Sequence, residues 1–133
     1  MASDFGNLGI LYKSRGDLEK AEAMYEKALA IDEALGCKEG MATAYGNLGN
    51  LYTIQGDLER AEAMFEKSLS IEEALGRKEG IASDFCNLGI LYKTRGDLER
   101  AEAMFKKSLE IFDALCSPHV DQVKELLEAL RTQ

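Results

Sequence analysis

The chain repeats itself every 40 residues, and this periodicity restricts the possible folds more than any other feature. Gly9-Ile10-Leu11-Tyr12 returns as Gly49-Asn50-Leu51-Tyr52 and Gly89-Ile90-Leu91-Tyr92, and Gly16-Asp17-Leu18-Glu19 returns at 56–59 and 96–99. Residues 1–35 and 81–115 are identical at 25 of 35 positions. One supersecondary unit therefore recurs three times, at 1–40, 41–80 and 81–117, and a single array spans 1–133. The pattern stops at Cys116-Ser117-Pro118-His119, and a different segment, 119–131, follows. Three near-copies present one surface three times, which suits contact with an extended object better than a catalytic centre of unlike residues.

Within a repeat, Leu18, Ala21, Met24, Tyr25, Ala28, Ile31 and Leu35 fall three or four apart, with Glu19, Lys20, Glu22, Glu26, Lys27 and Glu33 between them. That spacing predicts an amphipathic helix over about 18–35, here helix B. Asp17 can accept amide protons of its first turn, and Gly36 can adopt the left-handed conformation that ends it. Phe5, Leu8, Leu11 and Tyr12 share the same period and stop before Gly16, which defines helix A. The short Gly-Asp turn makes the two helices an antiparallel hairpin. Glycine inside a helix costs about 0.5–1 kcal/mol relative to alanine. Gly9, Gly49 and Gly89 therefore call for a close approach, expected from the helix B backbone near Ala21, Ala61 and Ala101. After Pro118, Val123, Leu126, Leu127 and Leu130 share one side of a final helix that caps the stack.

Several function classes find no support. No apolar run approaches membrane-spanning length, and Asp4 stands where a signal peptide would carry basic residues, so the chain reads as soluble, with no membrane partner. Cys37, Cys86 and Cys116 lack metal or redox spacing and read as free thiols of a cytoplasmic protein. His119 is the single histidine and reads as a solvent or helix N-terminal residue. The pairs Asp32-Glu33 and Glu72-Glu73 read as surface charge on helix B. No phosphate loop, metal motif or nucleophile motif occurs, so neither an enzyme nor a cofactor is expected.

The sequence Phe5, Leu8, Gly9, Tyr12, Gly16, Ala21, Tyr25, Ala28 recurs as Tyr45, Leu48, Gly49, Tyr52, Gly56, Ala61, Phe65, Ser68 and as Phe85, Leu88, Gly89, Tyr92, Gly96, Ala101, Phe105, Ser108. This pattern resembles the tetratricopeptide repeat. The period is longer than that family's usual 34 residues, and Glu33, Glu73 and Asp113 stand where a proline usually ends helix B. The chain thus looks like the 40-residue subclass found in kinesin light chains, cell-polarity adaptors and bacterial signalling proteins. The resemblance implies an all-α fold, a right-handed superhelical solenoid of three hairpins plus the capping helix. Helices A would line a concave groove that binds a peptide or protein partner.

Charge separates the two helix rows. Of the net −8, helix A segments 1–16, 41–56 and 81–96 carry +1, 0 and +1, whereas helix B segments 17–35, 57–75 and 97–115 carry −4, −4 and −2. A groove of helices A would be nearly neutral, and without a basic stripe nucleic acid is not an expected partner. The groove positions implied by the resemblance include Asn7, Ile10 and Lys13; Thr43, Asn47, Asn50 and Thr53; and Ser83, Asn87, Ile90 and Lys93. An amide both donates and accepts, so the recurring Asn7, Asn47 and Asn87 could pair with the backbone of an extended peptide. They could equally bond the neighbouring helix and hold hairpins in register. The carboxylate clamp of chaperone-binding relatives is matched only by Asn47. A second reading is a spacer or self-assembly scaffold that stacks through exposed ends, because helix A of repeat 1 has no earlier hairpin over it.

Overall fold

Seven helices follow one another in the computed structural model, which describes residues 1–132: α1 (Ala2–Ser14), α2 (Leu18–Leu35), α3 (Lys38–Gln55), α4 (Leu58–Leu75), α5 (Lys78–Arg95), α6 (Leu98–Ala114) and α7 (Val120–Arg131). The expected start and stop signals set these boundaries. The side chains of Asp17, Asp57 and Asp97 accept the amides of Lys20, Arg60 and Arg100 at 3.2–3.3 Å, each supplying an oxygen to an otherwise unpaired helix N-terminus. Gly56 and Gly96 end α3 and α5 at φ +81° and +84°, where a side chain would clash with its own backbone. The capping helix is α7, which packs on α6 through buried Val123, Leu127 and Leu130.

The helices fall into two compact units, residues 1–71 and 72–133, with the boundary late in α4. In the first unit α1 packs on α2 and α2 on α3. Tyr25 and Phe65 are fully buried there, and Tyr52 donates its hydroxyl to Glu22 Oε1 at 3.2 Å, tying α3 to α2. In the second unit α5 packs on α6 and α6 on α7 around Phe105, Phe112 and Val123. Ser108 Oγ donates to the Ala82 carbonyl at 2.8 Å, so its buried hydroxyl is satisfied.

The helix A glycines do need room, but for a different neighbour than the sequence suggests. A Cβ on Gly9 would lie 2.5 Å from Tyr25 Cε1, and one on Gly49 or Gly89 would lie 2.6 Å from Cε1 of Phe65 or Phe105. The ring four residues after the small Ala21, Ala61 or Ala101 fills the gap, rather than the helix B backbone. The acid pairs also depart from the surface charge expected of them. Glu33 and Glu73 are exposed, but Asp32 and Glu72 are buried at 8% and 4% exposure. Each carboxylate sits against Gly40 or Gly80 in the first turn of the next helix A. The positive end of a helix favours a carboxylate there, and Arg77 adds an ion pair to Glu72 at 3.1 Å.

Candidate functional site

The eleven predicted groove residues all lie on helices A, and none is buried. The first unit carries Asn7, Ile10 and Lys13 on α1 with Thr43, Asn47, Asn50 and Thr53 on α3; the second carries Ser83, Asn87, Ile90 and Lys93 on α5. Spacings of three and four put each set on one helical face. The hydroxyls of Thr43 and Thr53 donate to the Glu39 and Gly49 carbonyls of their own helix at 3.1 and 2.8 Å, which leaves their lone pairs as acceptors. Among the described residues, the side-chain amides of Asn7, Asn47 and Asn87 make no hydrogen bond.

The signature aromatics beside them are already covered. Lys27, Lys67 and Lys107 of helices B lie over the rings of Phe5, Tyr45 and Phe85 at 5.4–5.6 Å, and Arg60 lies over Tyr52 at 4.4 Å. These rings and cations satisfy one another within the array, so helix A offers amides, hydroxyls and aliphatic groups rather than aromatic faces. Tyr45 and Tyr52 titrate above the usual phenol range, because burial disfavours the phenolate and nearby Glu33 and Glu22 repel it.

In the second unit the helix A face becomes a cleft. Ser83, Cys86 and Asn87 of α5 meet Phe112 of α6 and His119, Gln122 and Val123 at the start of α7 around about 220 Å³. Burial raises the Cys86 thiol above its usual range, which keeps it protonated and weakly nucleophilic. His119 is exposed, as expected, and its ring lies 5.2 Å from that of Phe112. The volume is below that of a pocket for a small-molecule cofactor and suits one amino-acid side chain. The repeat pattern does not assign His119, Gln122 and Phe112 to this surface. A signal is nonetheless present in α7: with Val123 and Leu127 turned inward, Gln122 falls at the edge of the helix's inner face. A wider cleft of about 780 Å³ lies between Gly76–Gly80, at the start of α5, and the Leu115–Pro118 loop.

Among the described residues no helix is long and apolar enough to cross a membrane, and no cluster of three or more His, Cys, Asp or Glu side chains could hold a metal ion. The three cysteines are free thiols. Helix hairpins recurring in near-identical copies define an all-α repeat protein.

The family model for the tetratricopeptide repeat matches residues 40–114, and a second model of the same description matches 2–34. The chain belongs to the tetratricopeptide repeat family, whose arrays serve as protein–protein interaction modules. Among solved structures, BtubC (BKLC) from P. vanneervenii is similar at 28% identity and a TM-score of 0.89, over 98% of this chain and 55% of that one. The apo form of RapI is similar at 20% identity and a TM-score of 0.90, over 98% of this chain and 48% of that one. The N-terminal domain of stress-induced protein-1 from C. elegans aligns at 25% identity and a TM-score of 0.72, over 94% and 93%. The chain thus spans about half the length of the first two proteins. No curated protein matches it.

Proposed function

We propose that the helix A faces bind segments of a protein partner, with Asn47 and Asn7 as the backbone-pairing groups of the first unit and Asn87 as that of the second. The observation that carries this reading is the uncommitted state of all three amides. Had they served only to hold helices in register, their donors would be spent on neighbouring carbonyls, as Ser108 spends its hydroxyl on Ala82. A partly exposed amide loses little on leaving water if the ligand backbone replaces both its donor and its acceptor partners.

Side-chain selection would come from the positions that differ between copies. Ile10, Asn50 and Ile90 alternate apolar and polar character, and Lys13, Thr53 and Lys93 alternate charge. The cleft bounded by Ser83, Asn87, His119 and Gln122 would take one uncharged polar side chain. The strongly acidic helix B row stays solvated and keeps the array soluble.

Selection from a random peptide library on the 133-residue chain would supply a ligand. With that peptide, N47A combined with N87A should weaken binding by about tenfold or more, at two backbone-pairing groups of roughly 0.5–1.5 kcal/mol each. Unchanged affinity in a variant with unchanged helical circular dichroism would refute the proposal.

A further inference from the structure

The cleft between α5 and the start of α7 is made by the capping helix and not by the repeat. It lies wholly within the second unit, around about 220 Å³. Counted back two periods, Phe112, His119 and Gln122 correspond to Asp32, Glu39 and Ala42, so the first unit has two acids where the cleft has a ring and an imidazole. Asp32 is taken up by its contact with Gly40, whereas the polar side chains of the cleft are uncommitted. Among the described residues, the Ser83 hydroxyl, the His119 ring nitrogens and the Gln122 amide make no hydrogen bond, like the Asn87 amide beside them. Four such groups from two elements meet around one cavity, together with Phe112 and Val123, which are 2% and 1% exposed.

Charge and hydrogen-bond count decide what this lining accepts. None of its residues carries a formal charge at pH 7. A carboxylate or an ammonium group would leave water with no opposite charge to meet it, and an aliphatic group would leave the polar side chains unpaired. A hydroxyl would bring a single donor. We infer that the cleft holds the side-chain carboxamide of a glutamine in the partner segment. Its two N–H donors and the two lone pairs of its carbonyl oxygen call for four partners. The Gln122 amide can supply two, donating to the ligand carbonyl and accepting from one ligand N–H. Ser83 and His119 can each donate or accept, and together they supply the other two. Asn87 stays available for the ligand backbone. Glutamine fits better than asparagine, because its extra methylene group lengthens the apolar stem beside Phe112 and Val123. The side chain reaches the cleft only if the partner segment runs along α5, so the assignment rests on that reading of the helix A face.

Selection of one random peptide library, in parallel on the 133-residue chain and on Q122L, tests the assignment. Gln122 is exposed on α7, so its replacement leaves the buried Val123, Leu127 and Leu130 in place. Peptides selected on the parent should share a glutamine at one position, and those selected on Q122L should lose it while keeping the rest of the consensus. In a synthetic consensus peptide, changing that glutamine to leucine or to glutamate should weaken binding to the parent by about tenfold or more, the scale of two lost hydrogen bonds. On Q122L the leucine change should alter affinity by less than about threefold, because the two residues are coupled. Parent-selected peptides with no shared glutamine overturn the assignment. So does a shared aspartate or glutamate in its place, and so does a glutamine whose replacement costs the same on both chains. The two readings fail separately. Weaker binding by N47A with N87A, without coupling to Gln122, removes the cleft assignment alone. Coupling that persists while the asparagine variant binds normally removes the role of the asparagine amides alone. A library that yields no binder to the parent overturns both.

Discussion

Tyr25 should be replaceable by phenylalanine with a gain in stability. Its ring is 1% exposed and occupies the place that Phe65 and Phe105 take in the other repeats, over Gly9 as they lie over Gly49 and Gly89. Among the described residues, its hydroxyl oxygen is the buried side-chain polar atom with no hydrogen-bond partner. Leaving such a group unpaired costs about 1–3 kcal/mol, and removing it leaves the ring packing intact, so Y25F should stabilise by about 1 kcal/mol or more. Unfolding entropy near 2.1 cal/mol/K per residue, over 133 residues, converts this to a rise in Tm of about 3–4 °C. Burial also raises the Tyr25 pKa above 10. The neutral phenol's contribution is complete below the unfolded-state pKa of about 10 and is lost as pH climbs toward the folded value. The advantage of Y25F should therefore grow above pH 10, while Tyr45 and Tyr52 keep the remaining alkaline sensitivity. Thermal melts of both proteins at neutral pH and above about pH 10 would measure this. A variant less stable than the parent by about 1 kcal/mol would refute the reasoning, because it would mean that the hydroxyl is paired.

Two helix A glycines should respond to alanine with opposite signs. At Gly6 an added methyl group would meet no heavy atom within 4 Å, so G6A should stabilise by about 0.5–1 kcal/mol in urea titrations. In contrast, G49A drives its methyl group into the Phe65 ring and should cost about 1–3 kcal/mol. Loss of the N-cap in D57A should cost about 1 kcal/mol, read as a lower urea midpoint with an unchanged slope.

The helices and their ends are legible in the sequence because each boundary is set within a few residues. The Gly-Asp turns and the three-four apolar spacing need no knowledge of distant contacts, and the α2 limits agree with those expected. What the sequence leaves open depends on packing between elements. Helical period alone leaves Asp32 and Glu72 beside exposed Glu33 and Glu73, and only the placement of Gly40 and Gly80 shows which acid turns inward. Likewise the pattern marks Gly9 as a point of contact, but the contacting group, Tyr25, lies a helical turn beyond the expected alanine. The helix A residues can be read off the repeat one by one, yet His119 and Gln122 join them only through the way α7 seats on α6.

If the helix A row, rather than the acidic helix B row, meets the partner, the side-chain amides of Asn7, Asn47 and Asn87 are the groups that report it. Their resonances can be followed by NMR as a selected peptide is titrated in. The Asn47 and Asn87 amides should shift progressively to saturation while backbone amides along the exposed sides of α2 and α4 stay in place. Shifts confined to helices B, with all three asparagine amides unmoved, would contradict binding along helices A.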